Sequence, residues 1–260
     1  MCTARRLMAA AVAAGLAVAV PACALGPSAS KPITLCGEQR ASIVGGAYIV
    51  HNNEYGTREP ECIQLDHDTG FTVTQSSIAM PADGGPGGYP SVYQGCHWGS
   101  CTSGGLSADP VQVGAMTEGG VITSWTTAQP GTGVYSVAYD IWFNRTPVTS
   151  GQPDCAELMV WLGSAGGVRP FGAPIATGIV LDGRQYDVWA GQQHWGHTIT
   201  YLLTNGTTSV TGLDVGTLAH DAVSRGYLSD SCYLISVEAG FEIWQAGTGL
   251  ASSDFSVSVR

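Results

Sequence analysis

Apolar and polar residues alternate one by one along much of the chain. Segments 134–143, 157–162 and 232–243 show this most clearly, and a period of two marks a β-strand with one buried face. Shorter β-type runs occupy 42–50, 70–76, 175–181, 185–190 and 198–204, with clusters of Gly, Pro, Ser and Asn between them. Many short strands separated by turn signals predict an all-β sandwich or jelly roll rather than βαβ units. One segment departs from the pattern. Residues 214–228 set Leu218, Ala222 and Tyr227 at helical spacing, with Gly226 near the end, which predicts a single helix packed on a sheet. Residues 81–89 (PADGGPGGY) read as a mobile Gly/Pro-rich loop.

The alternation also sorts residues by face. In 156–162, Ala156, Leu158, Val160 and Leu162 share an apolar face, while Glu157, Met159 and Trp161 share the other. In 233–244 one face carries Tyr233, Ile235, Val237, Ala239, Phe241 and Ile243, and the opposite face Glu238, Gly240, Glu242 and Trp244. Tyr139, Ile141 and Phe143 oppose Asp140, Trp142 and Asn144, and Asp187 with Trp189 repeats the arrangement. Several strands thus pair a core face with a face that mixes a carboxylate and a Trp. Large rings beside carboxylates point to a ligand cleft. Sugars suit such a cleft: their C–H faces pack on flat aromatics and their hydroxyls bond to acidic and amide groups. Two carboxylates flanking a glycosidic bond are the usual apparatus of glycoside hydrolysis, and Glu157 and Glu242 are the best-placed pair. On parity alone, two surface carboxylates on the outer face of a sandwich would read the same way.

Composition narrows the classes. The 260 residues include 36 Gly and 13 Pro, with 44% hydrophobic and only 12% charged. That argues against disorder and against a helical bundle. A net charge of −10 argues against a nucleic-acid partner, which calls for a basic surface. At the N-terminus, Arg5 and Arg6 precede an apolar run over 7–20, then Pro21 and Ala22-Cys23-Ala24. This predicts a secretory signal peptide over 1–24, a short polar leader over 25–33 and one domain over 34–260. An uncut anchor and lipidation of Cys23 are the alternatives. The expected location is extracellular, with no membrane contact after processing. Six cysteines follow the signal: Cys36, Cys62, Cys96, Cys101, Cys155 and Cys232. An even number in an exported chain suggests disulfides, and the lack of a CxxC pair gives a zinc site little support. Cys96 and Cys101 are spaced to staple one loop, and Cys36 and Cys62 to close a hairpin-sized one. Cys155 and Cys232 are left either to pair or to stay as buried thiols.

Five motifs, in order along nearly the whole chain after the signal, resemble glycoside hydrolase family 12. Glu157-Leu158-Met159-Val160-Trp161-Leu162 resembles its nucleophile strand. Gly240-Phe241-Glu242-Ile243-Trp244-Gln245, followed by Gly247-Thr248-Gly249-Leu250, resembles its acid/base strand, and Tyr139-Asp140-Ile141-Trp142-Phe143-Asn144 its buried-aspartate strand. Tyr89-Pro90-Ser91-Val92-Tyr93, leading into Gly95–Thr102, resembles the disulfide loop of bacterial members, and His51-Asn52-Asn53-Glu54-Tyr55-Gly56 the NNxWG segment. The resemblance implies a β-jelly roll of two antiparallel sheets with a concave cleft, and retaining endo-hydrolysis of β-1,4-glucans. It implies no metal and no organic cofactor. By position it makes Glu157 the nucleophile and Glu242 the acid/base, with carboxyls roughly 5–5.5 Å apart as retention requires. Asp140 would hydrogen-bond and orient Glu157, Met159 and Trp161 would line the scissile-sugar site, and the family's disulfides map onto Cys36–Cys62 and Cys96–Cys101. The family has Trp where this chain has Tyr55, so a distal subsite is altered.

Further residues carry lesser expectations. Asn52 reads as a ligand for sugar hydroxyls beside Tyr55. His97 reads either as a polar contact to sugar or to the acid/base pair, or as a structural loop histidine. Trp142 and Trp244 are expected to pack beneath the catalytic carboxylates, Asp187 to be structural, and Glu238 to rank below Glu242 as a catalyst. The expected partner is β-glucan, bound by a monomer acting on cellulose or mixed-linkage glucan. A xyloglucan-preferring enzyme and a non-catalytic jelly-roll carbohydrate-binding protein are the competing readings.

Overall fold

The computed structural model describes residues 32–260; the expected signal peptide and most of the leader lie outside the described residues. Two sheets stack face to face, as a jelly roll does. The larger runs in the order β12 (Ala173–Leu181), β13 (Arg184–Gln193), β14 (Gly196–Leu203), β11 (Ala156–Ala165), β10 (Val134–Asn144), β16 (Tyr233–Gln245), β6 (Ser91–His97), β3 (Tyr48–His51), β2 (Arg40–Ile43). Two short strands join it: β7 (Ser100–Cys101) on β6 and β8 (Val111–Gln112) on β16. The smaller sheet runs β1 (Thr34–Cys36), β4 (Glu61–Leu65), β5 (Phe71–Ser76), β17 (Ala251–Val259), β9 (Val121–Ala128), β15 (Ser209–Asp214). The β11–β14 pair is parallel.

The core lies between the sheets and holds the apolar parity sets of β10 and β11. Trp125 of β9 meets Tyr139 of β10 edge-on at 5.3 Å, and Phe71 of β5 meets Phe241 of β16 at 5.8 Å. T-shaped contacts of this kind add about 0.5–1.5 kcal/mol each to the burial term. The helix α1 (Val215–Ser224) buries Leu218, Ala219 and Ala222 in the same core. Asp214 caps it, accepting from the N–H groups of Gly216 and Thr217 at 2.9 and 3.4 Å. Among the described residues, three disulfides brace the fold. Cys36–Cys62 and Cys96–Cys101 join directly opposed strand residues, and Cys155–Cys232 pairs the two cysteines whose state the sequence left open.

Two expectations are corrected. Segment 42–50 is not one strand. Val44, Gly45 and Gly46 take φ of 49°, 64° and 94°, left-handed values that turn the chain back, so β2 and β3 pair as a hairpin. In β16 the alternation slips by one residue: Trp142 faces Ser236, but Phe143 faces Leu234. Ile235 is the extra residue of a bulge, and a one-residue shift exchanges the faces. Leu234, rather than Tyr233 or Ile235, therefore enters the core. Gly95 of β6 lies against this bulge, where a Cβ would come within 2.2 Å of the Ile235 carbonyl oxygen.

Candidate active site

The site is built on three adjacent strands, β11, β10 and β16, whose second faces turn away from the core. Register decides which groups meet. Glu157 lies opposite Trp142, and Met159 opposite Asp140, so Asp140 and Glu157 are diagonal neighbours. Across the other edge of β10, Asp140 faces Glu238 and Ser136 faces Glu242. Between these two acidic rows stand Ala138 and Gly240, also opposed. Glycine is required at 240: a Cβ there would come within 2.4 Å of the Pro90 carbonyl oxygen and 2.9 Å of the Tyr89 ring. Met159, Trp161 and Trp244 form a second apolar cluster with Ala138 and Val168 on this face.

Each proposed catalytic carboxyl has a hydroxyl donor from a neighbouring strand. Thr198 of β14, directly opposite Glu157 in the parallel register, donates to Oε2 at 2.8 Å. Ser136 donates to Glu242 Oε2 at 2.7 Å. Burial lifts both carboxyls above the ordinary carboxylate range, and the hydroxyls oppose that lift. Repulsion from Glu242 and Glu238 raises Glu157 further. Asp140 is raised well above its ordinary value by burial, then by Glu157, Glu242 and Glu238. A buried group of like charges cannot all ionise together.

These carboxyls line a cleft of about 1310 Å³. Tyr55, His97 and Trp98, the loop 82–86, and Phe171 with Trp195 also line it. The Gly/Pro-rich loop expected to be mobile is tethered. Trp244 Nε1 donates to the Gly84 carbonyl at 2.7 Å, and the N–H groups of Met80 and Gly87 bond to Trp244 and Ile243. Trp98 occupies the first position of the two-residue turn between β6 and β7 with φ 43°. A Trp in the left-handed region is strained, and such strain clusters at functional sites. It meets Trp142 edge-on at 5.0 Å.

Glu157, Glu242, Asp140, Tyr55, His97, Met159 and Trp161 all line the cleft. Asn52 does not. It is fully buried, and its Nδ2 donates to the carbonyls of Gly37 at 2.8 Å and Glu61 at 3.2 Å. It ties the N-terminal strands together, and Asn53 faces the cleft instead. No hydrogen bond joins Asp140 to Glu157 among the described residues; Asp140 Oδ1 has no partner. His97 Nδ1 is engaged by Glu238. Asp187 stands outside the cleft, accepting from the Gly178 N–H at 2.9 Å. Thr198, Ser136, Trp98 and Trp195 escaped the sequence reading. The first two are small residues with no local signal, and the last two sit in tight turns.

Comparison with known proteins agrees with this geometry. Residues 46–260 match the profile described as glycosyl hydrolase family 12. The structure superposes on endoglucanase cel12A from Rhodothermus marinus with a TM-score of 0.81 and 40% identity, covering 88% of this chain and 99% of that one. The probable cellulase Cel12b of Mycobacterium tuberculosis is 33% identical over 148 residues, 55% of this chain and 96% of its own length. The probable xyloglucan-specific endo-beta-1,4-glucanase A of Aspergillus fumigatus is 27% identical over 247 residues, 92% of this chain and 97% of its own. With the profile match running to the C-terminus and the jelly roll shared almost end to end, the chain belongs to glycosyl hydrolase family 12.

Proposed function

We propose that the protein is a secreted, retaining endo-β-1,4-glucanase in which Glu157 is the nucleophile and Glu242 the acid/base. The observation that carries the reading is the placement of a buried carboxyl, Glu157, and a half-buried one, Glu242, each with its own hydroxyl donor, in one aromatic-lined cleft. The assignment of roles follows the family motifs around each residue. Glu242 gives its proton to the glycosidic oxygen while Glu157 attacks the anomeric carbon. The leaving chain departs and a glycosyl ester remains on Glu157. Glu242, now a base, takes a proton from water, which attacks the same carbon and frees Glu157. Activity is then bell-shaped in pH, rising as Glu157 ionises and falling as Glu242 loses its proton.

The cleft suits a polymer. Its lining residues span the sheet from Arg40 on β2 to Gln193 on β13, seven strand spacings, or about 34 Å at ~4.8 Å each. That accommodates several sugar rings with chain continuing on both sides, as endo-cleavage demands. Cellulose or mixed-linkage β-glucan is the favoured substrate, supported by the identity to the Rhodothermus marinus endoglucanase. A xyloglucan preference is the second reading, supported by the nearly full-length fungal relatives. Export by the signal over 1–24 is supported by three disulfides, which persist in oxidising compartments. Among the described residues no helix is long and apolar enough to cross a membrane. One chain supplies the whole carboxylate face, which supports a monomer.

Glu157→Gln and Glu242→Gln are the test. Each should abolish nearly all reducing-end release from a soluble glucan while binding persists; near-wild-type turnover by either would end the assignment. Proton NMR of the first product should show the β anomer, and an initial α product would rule out retention. Initial rates on carboxymethylcellulose, lichenan and xyloglucan separate the two substrate readings.

A further inference from the structure

Four carboxyls share the cleft face. The double displacement uses Glu157 and Glu242, and Asp140 is expected to orient Glu157, so Glu238 is the one left without a role. It is completely buried, directly across the β10–β16 edge from Asp140, and farther from Glu157. His97, reaching over from β6, places Nδ1 3.1 and 3.0 Å from its two carboxyl oxygens. Ser236 Oγ adds a bond at 3.2 Å. The other titratable groups near this pair come from every strand packed on it. Asp140 and Glu157 lie within Coulombic reach of Glu238, as do the hydroxyls of Tyr89 and Tyr93. His51 of β3 meets the His97 ring edge-on at 5.2 Å, and Arg40 of β2 lines the same end of the cleft. Burial, with His97 and Arg40 acting in the same direction, pushes His51 down to about 3, so His51 is neutral. Among the described residues, His97 is the one base in contact with Glu238.

We propose that His97 and Glu238 are positioning residues: an ion pair that fixes a negative charge beside Asp140 and so keeps the proton of the Asp140–Glu157 pair on Asp140. The Glu238 charge repels an ionised Asp140, its direct cross-strand neighbour, more than an ionised Glu157. The single proton held between Asp140 and Glu157 therefore rests on Asp140, and Glu157 is left as the ionised nucleophile. Asp140 then has a hydroxyl to offer Glu157, which fits its unpartnered oxygen. His97 limits the effect, since without its positive charge the whole face would hold protons too tightly. The inference rests on the nucleophile role of Glu157 proposed above.

The two partners should then act in opposite directions on the acid limb of kcat/KM against pH. Glu238→Gln removes a negative charge, so the pair releases its first proton more readily and the acid limb moves down by about one pH unit. The remaining proton is no longer directed to Asp140, so plateau kcat falls as well. His97→Asn keeps an N–H donor near the Nδ1 position but removes the positive charge, so the acid limb moves up by a similar amount. The double variant should follow Glu238→Gln, because the His97 charge acts through Glu238. The alkaline limb, set by Glu242, should stay in place in all three. Merely structural roles would lower kcat with both limbs unmoved; that result, or shifts of the same sign in both single variants, would overturn the proposal. If one variant fails to fold by circular dichroism, the direction of the other decides. Glu157→Gln run alongside keeps the two readings apart: if it stays active the nucleophile assignment fails, and if it is inactive while the limbs do not move, only this inference fails.

Discussion

Replacing Thr198 by Val tests the electrostatics of Glu157, the proposed nucleophile, with almost no change of shape. The Thr198 hydroxyl donates to Glu157 Oε2 at 2.8 Å, and both groups are buried. Water does not replace the bond easily, so the full charge-assisted value applies, about 1.5–3 kcal/mol. The bond favours the ionised carboxyl and holds the Glu157 pKa below the level that burial alone would set. Its loss should raise that pKa by about 1–2 units at 1.36 kcal/mol per unit. An ionised nucleophile is required, so the acid limb of kcat/KM on a soluble glucan should move up by the same amount. The alkaline limb should not move, because the hydroxyl that bonds Glu242 belongs to Ser136. Initial rates across the pH range, with the melting temperature as a control for folding, read both limbs. A folded Thr198→Val protein with an unmoved acid limb would refute either the bond to an ionised Glu157 or the claim that Glu157 ionisation limits the rate.

Two further substitutions probe the surroundings of the site. Glu61 is fully buried, neither oxygen has a hydrogen-bond partner, and burial, aided by Glu54, pushes its pKa up to about 8 from 4.5. A raised folded-state value means the stability it contributes is complete below pH about 4.5 and is lost as pH rises toward about 8. Glu61→Gln should leave the melting temperature near wild type at pH 4 and raise it at pH 8 by at least about 2–4 °C, the effect of ~1 kcal/mol in a domain of this size; equal shifts at both pH values would contradict this. Trp98→Gly should separate binding from stability. Relief of the left-handed strain at Trp98, roughly 1–3 kcal/mol, offsets the lost contacts with Trp142 and His97. The melting temperature should then change little while KM on soluble glucan rises several-fold, whereas a large drop in melting temperature with KM unchanged would make Trp98 a packing residue.

Much of the site was legible because its strands are constrained on both faces. In β10 and β11 each residue must serve either a dry core or a cleft of aromatic rings, so parity alone placed Asp140, Glu157, Met159 and Trp161 on one side. Parity is a local property and needs only the chain's own period. Features that depend on a neighbouring strand were hidden. The hydroxyls of Thr198 and Ser136 carry no message until the β11–β14 and β10–β16 registers bring them to Glu157 and Glu242. Asn52, an apt sugar ligand by residue type, is claimed instead by two carbonyls that the N-terminal strands bring to it. The bulge at Ile235 reassigned Tyr233, Leu234 and Ile235, because one inserted residue inverts every inference that counts by twos.

Glu238 and Glu242 mark the boundary most sharply. They stand on the same strand with the same parity, Glu238 buried and Glu242 half-buried on the cleft face, and nothing in their immediate sequence says what either one meets. Register supplies the partners of each. It sets Glu238 against Asp140 and under His97, where a second carboxyl and a base must divide protons between them. It sets Glu242 against Ser136, with a single hydroxyl donor. A carboxyl held by a base is suited to carry a constant charge. One held only by a hydroxyl is free to exchange its proton with a substrate. Two glutamates four residues apart can therefore take different work, one setting the field and the other moving the proton.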